Sequence, residues 1–143
     1  MKEESHVTSA VRYFSRGGNA KKVAQAIAEE VHVKAEAIPK PPEGKVDVLF
    51  LGTSVYAAGV DEAVRRYIEA LNPSTVGKVV VFSTAAIKTS AYPQMKKLLE
   101  ERGIKVSEEE FHCRGQFTAL HRGHPDEKDL KNARKFARQI IHG

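Results

Sequence analysis

At 143 residues, 41% of them apolar and 29% charged, the chain is long enough to bury a core as one domain, and neither disorder nor a collagen-like repeat fits it. A single cysteine, Cys113, excludes a disulfide framework, and no apolar run approaches the ~20 residues of a membrane helix. The net charge of +5 comes from pairs such as Lys21-Lys22, Arg65-Arg66, Lys96-Lys97 and Arg134-Lys135 among acidic residues, which reads as solvated helix faces and not as a nucleic-acid surface. The start, MKEESHV, has no apolar signal region, so the expected location is the cytoplasm, with neither membrane nor nucleic acid as a partner.

Residues 7–14 (VTSAVRYF) read as a strand. Residues 19–31 carry Val23, Ile27 and Val31 on one stripe, which predicts a helix. A short strand is expected over 34–38 (KAEAI). The stretch PKPPEGK, 39–45, has three prolines and a glycine and predicts a loop. Residues 46–51 (VDVLFL) and 78–82 (KVVVF) are nearly continuous apolar runs, as in parallel strands covered on both faces. Between them Val64, Ile68 and Leu71 mark a helix capped by Asp61. A further helix is expected from Ala91 to Arg102, stopped by Gly103. Residues 104–112 (IKVSEEEFH) predict a polar edge strand, and a last helix starts near Pro125-Asp126. Strands alternating with helices argue for one parallel sheet with right-handed crossovers.

Ligands of open parallel sheets bind beyond the carboxyl ends of the strands. Three segments leave those ends here: Ser15 to Ala20, Thr53 to Gly59 and Ser83 to Thr89. The first, SRGGNA, opens a helix whose terminal N–H groups suit an anion. Gly17 and Gly18 let backbone approach a phosphate, with Ser15 and Asn19 as polar side chains. The competing reading is a glycine-rich turn with Asn19 as an ordinary N-cap. In the second segment Tyr56, between small residues, suits stacking on a flat ring, or else packs on the following helix. The third has small residues where backbone could approach a ligand.

These segments, "RYFSRGGNAKKVAQAIAEEV", "LFLGTSVYAAGVDEAVRRYIEAL" and "VVVFSTAA", with the ending "FHCRGQFTALHRGHPDEKDLKNARKFARQI", resemble the flavodoxin-like family of FMN proteins across nearly the whole chain. The resemblance implies a three-layer α/β sandwich with a five-stranded parallel sheet of order 2-1-3-4-5, in which a loop replaces the helix between the second and third strands. It implies FMN as cofactor, with its phosphate on Ser15, Arg16, Gly17, Gly18, Asn19 and Ala20. The ring would meet Thr53, Ser54, Val55, Tyr56 and Ala57 on one side and Ser83, Thr84, Ala85 and Ala86 on the other, with Tyr56 stacking. Gly17 and Ala20 replace two threonines typical of the family's phosphate loop, and Arg16 or Lys21 offers compensation. The implied role is electron transfer with a reductase or acceptor protein, and a homodimer is compatible with it. The alternatives are a flavin-free interaction module and a small FMN-dependent quinone-type reductase.

His112, Cys113, His121 and His124 fall within thirteen positions, but their spacing fits no familiar closed zinc site. A phosphoacceptor receiver domain would need acidic residues where YFS and FLGTS stand, and no Walker loop is present. Arg12 lies inside a strand opposite in sense to Val11 and Tyr13, and it is expected to face the side left open by loop 39–45.

Overall fold

The computed structural model describes residues 7–55, 59–85, 90–115 and 123–142. The elements follow as β1 (Ser9–Phe14), α1 (Asn19–Val31), β2 (Ala35–Ala37), β3 (Val46–Val55), α2 (Glu62–Ala70), β4 (Val76–Ala85), α3 (Tyr92–Glu101), β5 (Phe111–Arg114) and α4 (Glu127–His142). All strand pairs are parallel and the sheet order is β2-β1-β3-β4-β5. That is the expected order, and no helix lies between β2 and β3.

Alternation along the strands builds two cores. Val11, Val48, Phe50, Val80 and Phe82 meet the small-residue stripe of α1 and Ala133 and Ala137 of α4. Ala10, Leu49, Leu51, Val79 and Val81 meet Val64 and Ile68 of α2 and Met95 and Leu99 of α3. Each such large aliphatic side chain, fully enclosed, contributes about 1.5–3 kcal/mol relative to exposure. On the outer side of the first core, Arg134 and Arg138 reach Glu29 and Glu30, each at 3.0 Å, and tie α4 to α1. Such exposed pairs add little energy.

Arg12 turns to the α2 side, as its alternation with Val11 requires, and is only 4% exposed. Its guanidinium takes the place of a missing helix. Nε donates to Lys40 O at 2.9 Å, Nη2 to Pro41 O at 3.0 Å, and Nη1 to Val11 O at 2.9 Å. The Tyr67 hydroxyl donates to the same Lys40 carbonyl at 2.9 Å. A loop with three prolines cannot satisfy its own carbonyls by helix formation, so two side chains from the folded body supply the donors.

The structure corrects several boundaries. β3 and β4 run past their apolar stretches, so Thr53, Ser54 and Val55 pair with Ser83, Thr84 and Ala85 as strand residues and not as loop. The edge strand is split. Val106 only bridges Val79, and regular pairing starts at Phe111. Between them the Ser107 hydroxyl accepts the Glu109 N–H at 3.1 Å, and the Tyr92 hydroxyl donates to Ser107 O at 2.9 Å. These bonds turn the chain at Ser107 and interrupt the edge pairing.

Candidate functional site

The carboxyl ends of β1, β3 and β4 and the start of α1 meet at one edge of the sheet. There the Ser15 hydroxyl accepts the Gly18 N–H at 2.9 Å and closes a turn. Gly18, with φ 93°, is the residue before the helix, and no side chain caps it. Asn19 is therefore not the N-cap expected from the sequence; it is the first helical residue, 8% exposed. The Ser15 turn explains the change, because it needs a left-handed residue three positions on and glycine supplies it. Gly17 stays exposed at the tip.

Behind this turn the hydroxyl residues of the two central strands bond to one another and to the helix. The Ala20 N–H donates to Ser54 Oγ at 3.3 Å, and the Thr84 hydroxyl donates to the same oxygen at 3.1 Å. Thr53 Oγ1 donates to Ser54 O at 3.2 Å, and Ser83 Oγ accepts the Ala91 N–H at 3.3 Å. All four hydroxyl residues are at most 3% exposed. They anchor α1 and α3 to the sheet. Gly115 closes the far side, where an added Cβ would come within 2.6 Å of Asn19 Nδ2. The sequence reading missed Gly115, whose only signal is a glycine directly after an edge strand.

Arg16 reaches across the site to Asp61, with Nη2 and Nε at 2.6 and 3.2 Å from Oδ2. Its guanidinium also lies 5.6 Å from the centroid of the Phe14 ring. Asp61 caps α2 by accepting the Ala63 N–H at 2.9 Å. That bond first, and Arg16 second, hold the Asp61 carboxyl below its usual range. Asp61 thus joins the site, through a role that cap spacing alone does not reveal. The structure brings Ser15 to Ala20, Thr53 to Val55 and Ser83 to Ala85 to one edge; Tyr56, Ala57 and Ala86 lie outside the described residues.

In the histidine-rich stretch the described histidines pair with carboxylates. His112 Nδ1 faces Glu110 at 3.3 Å, and His121 lies outside the described residues. Burial, with Asp129 and Asp126 adding to it, pushes the Cys113 thiol up to about 12, so it stays protonated and unreactive at neutral pH. His124 Nδ1 lies 2.7 Å from Asp129 Oδ2. Asp126 and Asp129 accept each other's backbone N–H at 3.0 and 2.9 Å, a reciprocal cap for α4.

The bond to Asp129 raises the pKa of His124 above 6.5. A raised folded value means that this contact stabilises fully below pH 6.5 and is lost as the pH rises through the folded value. The Asp126 carboxyl is lowered, chiefly by the Asp129 N–H, so its contribution is lost as the pH falls below its ordinary 3.8. We expect a folded-state NMR titration of His124 to report a value above that of the unfolded chain, and Asp129→Asn to bring it down. An unchanged titration in Asp129→Asn would rule out the Asp129 contact as the cause of the shift.

Residues 10–122 match a family model described as a flavodoxin domain. The chain is 26% identical over 137 residues to an uncharacterized protein of Methanocaldococcus jannaschii, covering 86% of this chain and 90% of the relative. Among solved structures, a flavodoxin from the domain Archaea superimposes with a TM-score of 0.76 at 17% identity, covering 93% of this chain and 95% of that one. Oxidised Flavodoxin 2 from Bacillus cereus gives 0.68 at 19% identity, covering 92% and 95%. At these identities the superpositions speak for the fold. Among the described residues no helix is long and apolar enough to cross a membrane.

Proposed function

The chain belongs to the flavodoxin domain family, and on that premise we propose that it is a cytoplasmic FMN-binding electron carrier working with a reductase or acceptor protein. One observation carries the reading: a Ser15-anchored turn with left-handed Gly18 opens a 13-residue helix at the carboxyl edge of the sheet. The residues fit a phosphate. Gly17 is exposed at the tip and nothing lies within 4 Å of a Cβ built on Gly18, so backbone at this helix start is open to an approaching phosphate, with the Gly18 and Ala20 N–H groups resting on Ser15 and Ser54. Ser15 to Ala20 would hold the phosphate, with Arg16 as its charged side chain. Thr53 to Ala57 and Ser83 to Ala86 would flank the ring, and Tyr56 would stack on it. When bound, the flavin supplies the electron chemistry. The chain's own work is to bind, orient and shield. The hydroxyl network behind the turn keeps the edge rigid, and the closely packed β3 and β4 exclude water from below.

The test is a visible absorption spectrum of the purified protein followed by an FMN titration. Flavin bands, or saturable uptake of FMN, are expected. Gly17→Thr places a hydroxyl at an exposed position where Gly18, and not Gly17, carries the positive φ. A new hydrogen bond to a charged group is worth about 1.5–3 kcal/mol, so FMN should bind about tenfold tighter or better. The flavin-free reading has its own support, since Arg16 is held by Asp61 and the Ala20 amide by Ser54. A colourless protein that ignores excess FMN, in both wild type and Gly17→Thr, would establish that reading instead.

A further inference from the structure

Beside the site, on the face where loop 39–45 stands in place of a helix, a half-open cavity of about 650 Å³ separates that loop from α2. Its walls include Phe14, Ile38, Pro41, Tyr67, Ala70 and Leu71. We infer that this cavity is a binding site for a small organic anion with a flat apolar body, a use separate from flavin binding at the strand ends. Size, wall chemistry and charge each point that way.

The volume falls within the 300–1,000 Å³ typical of small-molecule sites. The described lining residues form a recess and not a flat face, the shape that takes a small guest. Three prolines, Phe14 and Tyr67 stand in the walls beside Ile38, Ala70 and Leu71, and such rings cost little entropy to present to a planar guest. The polar groups nearby are already engaged. The Tyr67 hydroxyl donates to Lys40 O, the Thr75 hydroxyl to Asn72 O, and Asn72 Oδ1 accepts from Ser74. Burial also pushes the Tyr67 phenol up to about 12, so it stays neutral. What remains is apolar wall with a cationic rim. Arg66, whose Nε lies 3.5 Å from Glu62, is the one charged side chain among the described residues that line the cavity. An apolar ring for the walls and one acidic group for Arg66 satisfy both features.

The experiment is a fluorescence titration of the full chain, without added FMN, using 8-anilinonaphthalene-1-sulfonate and its uncharged counterpart N-phenyl-1-naphthylamine. One saturable site is expected, tighter for the sulfonate. Ala70→Phe fills the cavity from an exposed helix position and should weaken both probes by about tenfold or more, while Arg66→Gln should erase the preference for the sulfonate. Backbone amide shifts in the labelled wild-type chain locate the probe without any variant, and they should centre on Tyr67, Ala70 and Leu71. No saturable binding, amide shifts elsewhere, or full binding by folded Ala70→Phe would each overturn the proposal. Because no step involves FMN, failure here leaves the flavin reading untouched, and the reverse holds as well.

Discussion

Arg12→Ala is expected to lower the free energy of unfolding by about 3–5 kcal/mol, a large part of the 5–15 kcal/mol that holds a domain of this size together. The guanidinium is 4% exposed and makes three hydrogen bonds to carbonyls, two of them in a loop from the other side of β2. Its nearest carboxylate, Glu36, is 4.0 Å away, so the charge is held mainly by carbonyl dipoles. Alanine would remove the donor that meets Pro41 O in the loop and leave Lys40 O to Tyr67 alone. Arg12→Lys keeps the charge but loses the planar fork, and should recover only part of the loss. Urea denaturation of the three proteins measures this. A loss under about 1 kcal/mol in Arg12→Ala would mean that the prolines hold the loop unaided. The same variant should lose the naphthalene probes, because the loop is one wall of the cavity.

Gly52→Ala should destabilise by about 3 kcal/mol, near the upper end for overpacking a core. Gly52 pairs with Tyr13 on one side and Phe82 on the other, and a Cβ there would fall inside the Phe82 ring. That ring is fully enclosed, so it has no free direction in which to yield. Gly52 is followed by Thr53 and Ser54, and Ser54 is what holds the Ala20 amide. The substitution should therefore weaken FMN uptake as well as stability. Phe82→Leu in the Gly52→Ala background should restore part of the stability, a coupling that a thermodynamic cycle reads directly. If Gly52→Ala melts like wild type, the close approach of the two residues is wrong.

Much of the fold was legible because its signals are local. The apolar stripe over residues 19–31 predicted the helix α1, Asp61 declared its cap on α2, and three prolines forbade a helix in 39–45. Even the side faced by Arg12 followed from the two-residue period of a strand. At the strand ends this legibility fails. Thr53, Ser54, Ser83 and Thr84 read as loop because serine and threonine usually mark turns. They are strand because β3 and β4 pair through them, and the Ser54 hydroxyl finds its partners thirty or so residues away, at Thr84 and at the Ala20 amide. Asn19 likewise reads as a cap until the Ser15 hydroxyl takes the Gly18 amide. Periodicity and turn chemistry depend on a residue's immediate neighbours and survive in the linear chain. The burial of a hydroxyl, the aim of Arg16 toward Asp61, and the space left under a proline loop depend on which distant groups arrive to satisfy them, and these exist only once the sheet has assembled.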